Sequence, residues 1–341
     1  MIFSLNCGSQ SIKYRLFDAD LKSVKEKKIA VKNSKDYQKI FLKELKELEG
    51  YKKEIKKVCH RVVHGGEEFR KPLKITESNL RKLEKYNELA PLHNPFNILG
   101  IKLSRKIFPR ALQVAVFDTG FFENIPPKAF IYGLPENLKK KYNFRRFGFH
   151  GISHEYASRE GAEIIGNDFE KLKIISCHLG GGSSIAAIKG GKAIDTSMGF
   201  TPSEGLLMMT RCGDVDPGIL IKLSSLFSSK RLDEILNKDS GIKGICGISE
   251  MKEVLSAIKK GDKKAELALE IFVYRIQKYI GSYFAILGGC DLLVFTGAIG
   301  EGSEKIRKMI TGDLNILKET KIISVKTDEE LHIVRKSRNF K

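Results

Sequence analysis

Several features that define whole classes of protein are missing from this chain of 341 residues. No apolar run approaches the ~20 residues that cross a bilayer, so the sequence predicts no transmembrane helix and no membrane partner. The opening residues 1–7 lack the basic start and the small-residue cleavage site of a signal peptide, and we expect a cytoplasmic protein. A Walker A sequence, GxxxxGK followed by Ser or Thr, is absent, which excludes a P-loop.

Cysteine is sparse, and its spacing excludes two further classes. None of the cysteines forms a C-x-x-C pair, so neither a zinc site nor a disulfide framework is predicted. We expect reduced, mostly buried thiols. The six residues are Cys7, Cys59, Cys177, Cys212, Cys246 and Cys290.

Acidic residues are too few to balance the basic ones. Lys and Arg total 60, Asp and Glu total 41, and the formal net charge is +19. A surplus of this size raises the question of a nucleic-acid partner. However, the lysines are mixed with acids on amphipathic segments such as 39–46, which is typical of a solvated surface. We therefore expect no nucleic-acid partner, and a positive field that steers polyanionic substrates.

Strand patterns alternate with helical patterns, which predicts an α/β protein. Strands separated by small-residue turns are predicted at 2–6, 13–17 and 24–31, and the same order returns at 173–177, 185–188 and 192–196. This recurrence, about half the chain apart, predicts an internal duplication with one Gly/Ser turn from each lobe in a shared cleft. Apolar stripes predict helices over 34–48 and 263–287, the second followed by a buried strand at 292–296 and a turn at 297–300. No low-complexity linker separates the lobes.

Histidine is concentrated: six of the seven stand in short clusters with glycine, arginine or asparagine. Imidazoles donate to oxyanions, and glycine lets the backbone approach closely, so the clusters predict an enzyme that works on phosphate. The alternative for any one of these histidines is a side chain satisfied by structural hydrogen bonds. The clusters are 60–66, 92–95, 149–154 and 178–184.

Other candidates are a turn and three charged residues. Residues 6–13 bring backbone N–H groups, hydroxyls and Lys13 together, which suits a phosphate or its Mg²⁺, although an ordinary hairpin has the same pattern. Arg61 and Arg211 lie among small residues and suit bidentate binding of carboxylate or phosphate. A structural ion pair is their alternative, for Arg211 with an acid such as Asp214; Arg61 has no nearby acid before residue 67. Asp118 ends a strand, and ligands bind at the carboxyl ends of strands in α/β folds, so a functional carboxylate is predicted there. The alternative is that Asp118 caps the next segment.

Together these segments resemble the acetate kinases, with the family's signatures in the family's order over essentially the whole chain. The motifs that carry the resemblance are 6–13, 60–66, 90–95, 117–119, 146–151, 195–199, 201–202, 213–217, 295–301 and 327–331. The resemblance implies the duplicated, two-lobed α/β fold of acetate and sugar kinases, heat-shock ATPases and actin (RNase H-like). Residues 1–148, joined by 330–341, would form the N-terminal lobe, and 149–329 the nucleotide-binding lobe.

The resemblance also implies the roles of individual residues. The catalytic residues would be Asp118, His150, Arg61 and Arg211. Acetate would contact Arg61, Val63, Leu92, His93, Phe149 and Pro202, whose apolar members leave room for only one or two carbons of the substrate. Mg²⁺, or Mn²⁺, would be bound by Asn6 and Glu329. ATP would contact Lys13, Ser11, His178, Leu179, Gly180, Gly181, Gly182, Glu250, Met251, Lys252, Gly297, Ala298, Ile299, Gly300 and Glu301.

Departures from the family pattern fall mostly on the nucleotide side. Gly181 stands where the family has Asn, and Glu250-Met251-Lys252 stands where the family has Asp, an apolar residue and Arg. Met209 and Ala298 each replace a glycine, and the chain is shorter than family members at 13–61 and 301–329.

The implied reaction is reversible transfer of the γ-phosphoryl group of ATP to acetate, with a homodimer as the working state. The departures leave three alternatives open: weakened ATP binding, another donor such as GTP or pyrophosphate, and a butyrate or propionate kinase, since Gly180-Gly181-Gly182 also resembles that sister group. A non-catalytic binding or regulatory protein on the same fold is an alternative from a different class.

Overall fold

Two compact units make up the protein. A computed structural model describes residues 1–9, 11–31, 33–91 and 93–340. Its contacts divide the chain into unit 1, Met1–Glu123 with Asp328–Lys341, and unit 2, Asn124–Thr327. In the part of the chain that the structure describes, no helix combines the length and the apolar character needed to cross a bilayer.

Each unit contains one mixed β-sheet. The unit 1 sheet has the order β3-β2-β1-β4-β6-β5, and the unit 2 sheet has the order β11-β10-β7-β8-β9. The strands are β1 (Ile2–Cys7), β2 (Ser11–Phe17), β3 (Ser23–Ala30), β4 (Lys57–Val62), β5 (Leu73–Lys74), β6 (Leu112–Phe117), β7 (Lys173–Leu179), β8 (Ser183–Lys189), β9 (Lys192–Thr196), β10 (Leu292–Thr296) and β11 (Lys321–Ser324).

The two sheets repeat one topology. In each, three consecutive strands form an antiparallel meander, β1-β2-β3 or β7-β8-β9, and parallel strands add on the other side of the first strand, β4 and β6 or β10 and β11. The central strands are buried almost throughout, whereas the outer β3 alternates between half-buried and exposed residues. The α/β class and the recurrence of the strand pattern are therefore confirmed.

Helices flank the sheets. They are α1 (Tyr37–Lys46), α2 (Glu77–Glu84), α3 (Asn94–Ile107), α4 (Pro127–Phe130), α5 (Glu136–Tyr142), α6 (Gly151–Ile164), α7 (Pro217–Ser224), α8 (Ser229–Lys238), α9 (Gly241–Cys246), α10 (Met251–Lys259), α11 (Lys263–Leu287), α12 (Gly297–Gly300), α13 (Glu304–Thr311) and α14 (Glu329–Lys336). Residues 297–300, predicted as a turn, form a single helical turn. The helix predicted at 34–48 is shorter, because a 3-10 turn precedes Tyr37.

Helix α11 shows why the long helix was predictable. Asp262 accepts hydrogen bonds from the backbone N–H groups of Lys264 and Ala265, and Gly288 ends the helix in the left-handed conformation with φ +67°. Between these caps, an apolar face that includes Phe272 and Ile276 joins the core formed with the unit 2 sheet.

The cysteines are free thiols in the described structure, as predicted. Cys7, Cys59, Cys177 and Cys290 are buried. Burial raises the pKa of the Cys59 thiol to about 11, despite the opposing contact with the Ser337 hydroxyl. These buried cysteines therefore pack as small apolar side chains.

Residues 124–148 pack within unit 2. The Arg146 guanidinium donates to the carbonyl oxygens of Thr196 and Ser197 at 3.0 and 3.1 Å and binds the Glu204 carboxylate at 2.5 Å. Tyr132 also hydrogen-bonds Glu204. This segment therefore orders the strand end and loop of residues 196–204.

Candidate active site

In unit 1, three predicted site residues lie at one edge of the sheet. Strands β1, β4 and β6 are parallel neighbours, so their carboxyl ends share that edge. Asn6 and Arg61 are the penultimate residues of β1 and β4, and Asp118 directly follows β6. Ligands bind at such an edge in α/β folds.

Arg61 is bound by two carboxylates. Its Nε lies 3.1 Å from Oδ1 of Asp118, and its Nη2 lies 2.5 Å from Oδ2 of the same residue. Nη1 lies 3.3 Å from Oε2 of Glu329, at the start of α14. Although burial disfavours the charge of Arg61, the two acids raise its pKa above the ordinary value. Burial raises the pKa of Asp118, and Arg61 opposes that rise.

This cluster corrects one expectation from the sequence. The absence of an acid shortly after Arg61 argued against a structural ion pair, yet the structure contains one. The partner Asp118 is 57 positions away along the chain. Strand pairing brings it close, because Arg61 and Val116 are register partners.

Two asparagines of α3, to which no role was assigned from the sequence, fix the same edge. Oδ1 of Asn97 accepts from the backbone N–H of Val63 at 3.0 Å, and its amide donates to the carbonyl of Cys7 at 2.6 Å. Asn94 makes the equivalent pair of bonds with the backbone of His64, at 3.0 and 2.8 Å. Both asparagines are buried. The sequence carries no signal that distinguishes these amides from exposed ones, because the tertiary structure sets their burial and their partners.

The remaining unit 1 residues lie near these elements. Val63 is buried just after β4, and His93 is the residue before α3. Lys13 faces Asn6 across the β1–β2 pair, with Ser11 at the start of β2. Leu92, predicted to contact acetate, lies outside the described residues.

In unit 2, His150 stands at the entrance to α6. It has φ +59°, and its Nδ1 lies 2.9 Å from the hydroxyl oxygen of Ser184 on β8. Its ring centroid lies 4.3 Å from that of His178 on β7, whose Nδ1 contacts the Ser153 hydroxyl at 2.8 Å. Two imidazoles thus lie beside the Gly-rich turn between β7 and β8.

The side chains of His150 and Arg211 both lie next to Gly182. A Cβ atom at Gly182 would lie 3.3 Å from Nη1 of Arg211 and 3.5 Å from Nε2 of His150. A guanidinium donor and an imidazole nitrogen therefore border the same point of the backbone. Both residues were predicted from the sequence, and unit 2 brings them together.

Arg211 has no carboxylate partner among the residues that the structure describes. Its Nη1 donates to the carbonyl of Pro202 at 3.2 Å. Asp214 instead accepts from the backbone N–H of Gly205 at 2.9 Å and from the Tyr279 hydroxyl at 2.7 Å, so the structural ion pair considered for Arg211 does not form. Burial lowers the pKa of Arg211 from its ordinary value. A partly buried cation of this kind is available to an anion.

The glycine turn and the turn after β10 adjoin each other. A Cβ at Gly180 would lie 3.8 Å from Nε2 of His178 and 4.0 Å from the backbone nitrogen of Ala298. Gly297 has φ +80°, and a Cβ there would meet the carbonyl of Leu179 at 2.6 Å, so only glycine fits. Gly181 is exposed and faces open space.

The other predicted nucleotide contacts differ in exposure. Glu250 and Lys252 are exposed around the start of α10, whereas Met251 packs in the hydrophobic core of unit 2. Leu179 and Ile299 are also core residues, and Glu301 is exposed.

His60, beside Arg61 on β4, gives a pH-dependent stability. Gln113 donates to the carbonyls of Ala111 and Phe108 through its amide, so its Oε1 is left to accept from Nε2 of His60 at 2.8 Å. Burial lowers the pKa of His60 to about 4, with the bond to Gln113 opposing the shift.

We expect this histidine to destabilise the protein as the pH falls. Between the unfolded pKa of about 6.5 and the folded pKa of about 4, the imidazole of His60 is protonated in the unfolded chain and neutral in the folded protein. The free energy of unfolding therefore falls by about 1.4 kcal/mol for each unit by which the pH decreases in this range. Urea unfolding at several pH values measures the decline, and His60→Gln should reduce its slope by this amount, leaving the slope that the buried His64 and His154 contribute. An identical slope in the variant would refute the assignment.

Comparisons with known proteins extend these observations. Residues 22–339 match the model of the acetokinase family. The chain is 46% identical to an acetate kinase of Thermoanaerobacter pseudethanolicus, over 98% of this chain and 90% of that protein. It resembles the crystal structure of the Porphyromonas gingivalis acetate kinase at 37% identity with a TM-score of 0.88, and that of a propionate kinase from Francisella tularensis at 37% identity with a TM-score of 0.90. Each covers 98% of both chains.

Proposed function

Because the chain belongs to the acetokinase family, it is a phosphotransferase, and we propose that it transfers the γ-phosphoryl group of ATP to acetate, giving acetyl phosphate and ADP reversibly. Arg211 is the observation that supports this proposal most directly. It is a guanidinium without a carboxylate partner among the described residues, and it borders Gly182 together with Nε2 of His150. Donors in such an arrangement suit the oxygens of a transferring phosphoryl group.

We assign the residues as follows. Arg61 binds the acetate carboxylate and Asp118 holds its guanidinium in place, while Arg211 and His150 donate to the phosphoryl oxygens, assisted by His93 and His178. The methyl group of acetate contacts Val63, Phe149 and Pro202. The phosphates of ATP are bound by Lys13, Ser11 and the turn 180–182, and the nucleoside by residues 250–252 and 297–301.

The reaction needs no general base. A free carboxylic acid has a pKa of ~4–5 and is already ionised at neutral pH, so its oxygen attacks phosphorus directly. The bond from the γ-phosphorus to the β,γ-bridging oxygen of ATP breaks as the new acyl phosphate bond forms. Catalysis then rests on alignment and on offsetting negative charge, which is what two guanidinium groups supply.

The unit 1 cluster fits a divalent cation in its chemistry. Arg61 carries one positive charge, whereas Asp118 and Glu329 together carry two negative charges. The carboxylates offer oxygen atoms, which are the ligand atoms that Mg²⁺ prefers. We propose that Asn6 and Glu329 hold Mg²⁺, with Mn²⁺ as a substitute. The ion would neutralise phosphate charge when bound.

An acyl hydroxamate assay tests the proposal. The purified protein is given acetate, Mg²⁺ and hydroxylamine with ATP, GTP or pyrophosphate, and we expect hydroxamate with ATP. Propionate and butyrate complete the panel, because one of the similar structures is a propionate kinase and an extra methylene discriminates by only ~1–3 kcal/mol. No product with any acid and any donor would overturn the proposal.

Gly181 allows a test of the nucleotide side. Its φ is not in the left-handed region, and a side chain there would meet nothing within 4 Å, so Asn fits without strain. We expect Gly181→Asn to lower the KM for ATP by about two- to tenfold, the range of one net hydrogen bond, with kcat and Tm unchanged. Gly133→Asn, at a similarly open position, is the control. An unchanged or higher KM for ATP would exclude a phosphate contact at this turn.

We also propose a homodimer, on the strength of the family resemblance. Large apolar residues are exposed on and after α7, including Ile219, Ile221 and Leu226. Light scattering should give twice the chain mass of 38.4 kDa. A mass of one chain at micromolar concentration would contradict the proposal.

A further inference from the structure

A chain of hydrogen bonds runs from His150 into the interior of unit 2. The hydroxyl oxygen of Ser184 lies 2.9 Å from Nδ1 of His150 and 2.8 Å from Nε2 of His154. Nδ1 of His154 lies 2.9 Å from the hydroxyl oxygen of Ser176. His154, Ser176 and Ser184 are all fully buried. The family resemblance assigned none of these three residues a role.

The chain restricts where the protons can be. Among the described residues the hydroxyl of Ser184 contacts only these two histidines, so its single proton is donated to one of them and its oxygen accepts from the other. If it donates to Nδ1 of His150, then His154 must carry its proton on Nε2. If it donates to His154, then His150 must carry a proton on Nδ1, and His154 must carry its own on Nδ1, facing Ser176. The tautomers of the two histidines are therefore coupled.

We propose that Ser184 and His154 are positioning residues that keep Nδ1 of His150 an acceptor and thereby place its proton on Nε2, as the donor to the transferring phosphoryl group. This proposal rests on the phosphoryl-binding role given to His150 above. Nε2 is the nitrogen that borders Gly182 beside Arg211. An imidazole whose Nδ1 accepts a hydrogen bond carries its N–H on Nε2, which is the side of the ring that faces Gly182.

The burial of His154 supports the same assignment. Burial, and secondarily the nearby His178, lower its pKa well below the ordinary value, so His154 is neutral and has one N–H to place. When Ser176 donates to Nδ1 of a neutral His154, the single ring proton is on Nε2 and is donated to Ser184. The direction of one hydrogen bond thus sets the direction of the next, without any net charge on the ring. His154 thus acts through Ser184 and does not contact the substrate.

Nitrogen NMR tests the coupling without reference to activity. In protein labelled with 15N-histidine, long-range proton–nitrogen correlations distinguish the two neutral tautomers. We expect both His150 and His154 to be Nε2–H tautomers in the wild type. Ser184→Ala should change the proton–nitrogen correlation pattern of the His150 ring. Different tautomers in the two wild-type rings, or a His150 pattern that Ser184→Ala leaves unchanged, would overturn the proposal.

Kinetics provide the second arm. Ser184→Ala should lower kcat about tenfold, the upper range of one hydrogen bond, with KM for acetate and ATP within about twofold. His154→Asn keeps an amide towards Ser176 and should lose as much activity, whereas His154→Gln places an amide N–H towards Ser184 and should restore most of it. Equal activities of the Asn and Gln variants would argue for a purely structural role and overturn the relay.

Ser158→Ala is the matched control. Ser158 lies one turn after His154 on α6, is fully buried, and its hydroxyl has no partner among the described residues. Removing it should leave kcat and the histidine pattern unchanged, which separates loss of the relay from loss of a buried hydroxyl. If the wild type shows no phosphotransfer, the proposed function fails while the NMR arm still decides the coupling.

Discussion

Replacing Arg61 by alanine is expected to remove activity and to destabilise the protein together. The change leaves the carboxylates of Asp118 and Glu329 close to each other without the cation that binds both. Breaking a buried ion pair from one side destabilises proteins by about 3–5 kcal/mol. The loss of the group that binds acetate should lower kcat/KM by roughly 10³-fold, mostly through the KM for acetate.

Urea unfolding and steady-state kinetics measure the two effects. Arg105→Ala is the control, because Arg105 also pairs with an acid in unit 1, Glu77 at 2.7 Å, but at an exposed position where ion pairs contribute little. Adding Asp118→Asn to Arg61→Ala should recover part of the stability and none of the activity, since it removes one of the uncompensated charges. A stable, fully active Arg61→Ala protein would remove this residue from the mechanism.

Replacing Arg211 by alanine is expected to separate activity from stability. We expect kcat to fall by about 10³-fold, because a guanidinium that offsets charge in phosphoryl transfer contributes a factor of that order. Thermal stability should stay the same or rise, since no described carboxylate depends on Arg211 and burial already disfavours its charge. Kinetics with saturating substrates and a thermal melt measure both.

Two further variants sharpen this prediction. Arg211→Lys keeps the charge but loses the planar fork, and it should recover only a small part of kcat. Arg231→Ala removes an exposed arginine of unit 2 that pairs with Asp239, and it should change neither property. A fall in Tm for Arg211→Ala as large as that for Arg61→Ala would mean that Arg211 is structural.

Much of the fold was predictable because it depends on short stretches of chain. Helix α11 has the predicted bounds, and β9 and β10 do as well, since apolar spacing and terminal caps act over a few residues. Strand β2 begins at Ser11, two residues earlier than predicted, and Ser11 pairs with Ala30. The small residues that precede residue 13 have a low strand propensity and predicted a turn instead. Sheet pairing decided that boundary, and pairing is not local.

The candidate site was predictable in its residue types and not in its contacts. The clusters of histidine and glycine indicated His150 and His178, and the small residues around Arg211 indicated that arginine, because the sequence shows the chemistry of these side chains. Asn97 was not selected, and Ser184, although it lies in the cluster 178–184, was given no contact. A buried amide or hydroxyl cannot be told from an exposed one in the sequence until its partners are known.

The sequence by itself determined the α/β class, the recurring strand pattern and the chemical groups available to handle an anion. Only the tertiary structure decided that Arg61 shares its charge with Asp118 and Glu329 while Arg211 has no described acid to share with, and that Ser184 links two histidines. The reason is physical: apolar periodicity and capping act between neighbours in the chain, whereas an ion pair or a proton position depends on which distant strands lie side by side.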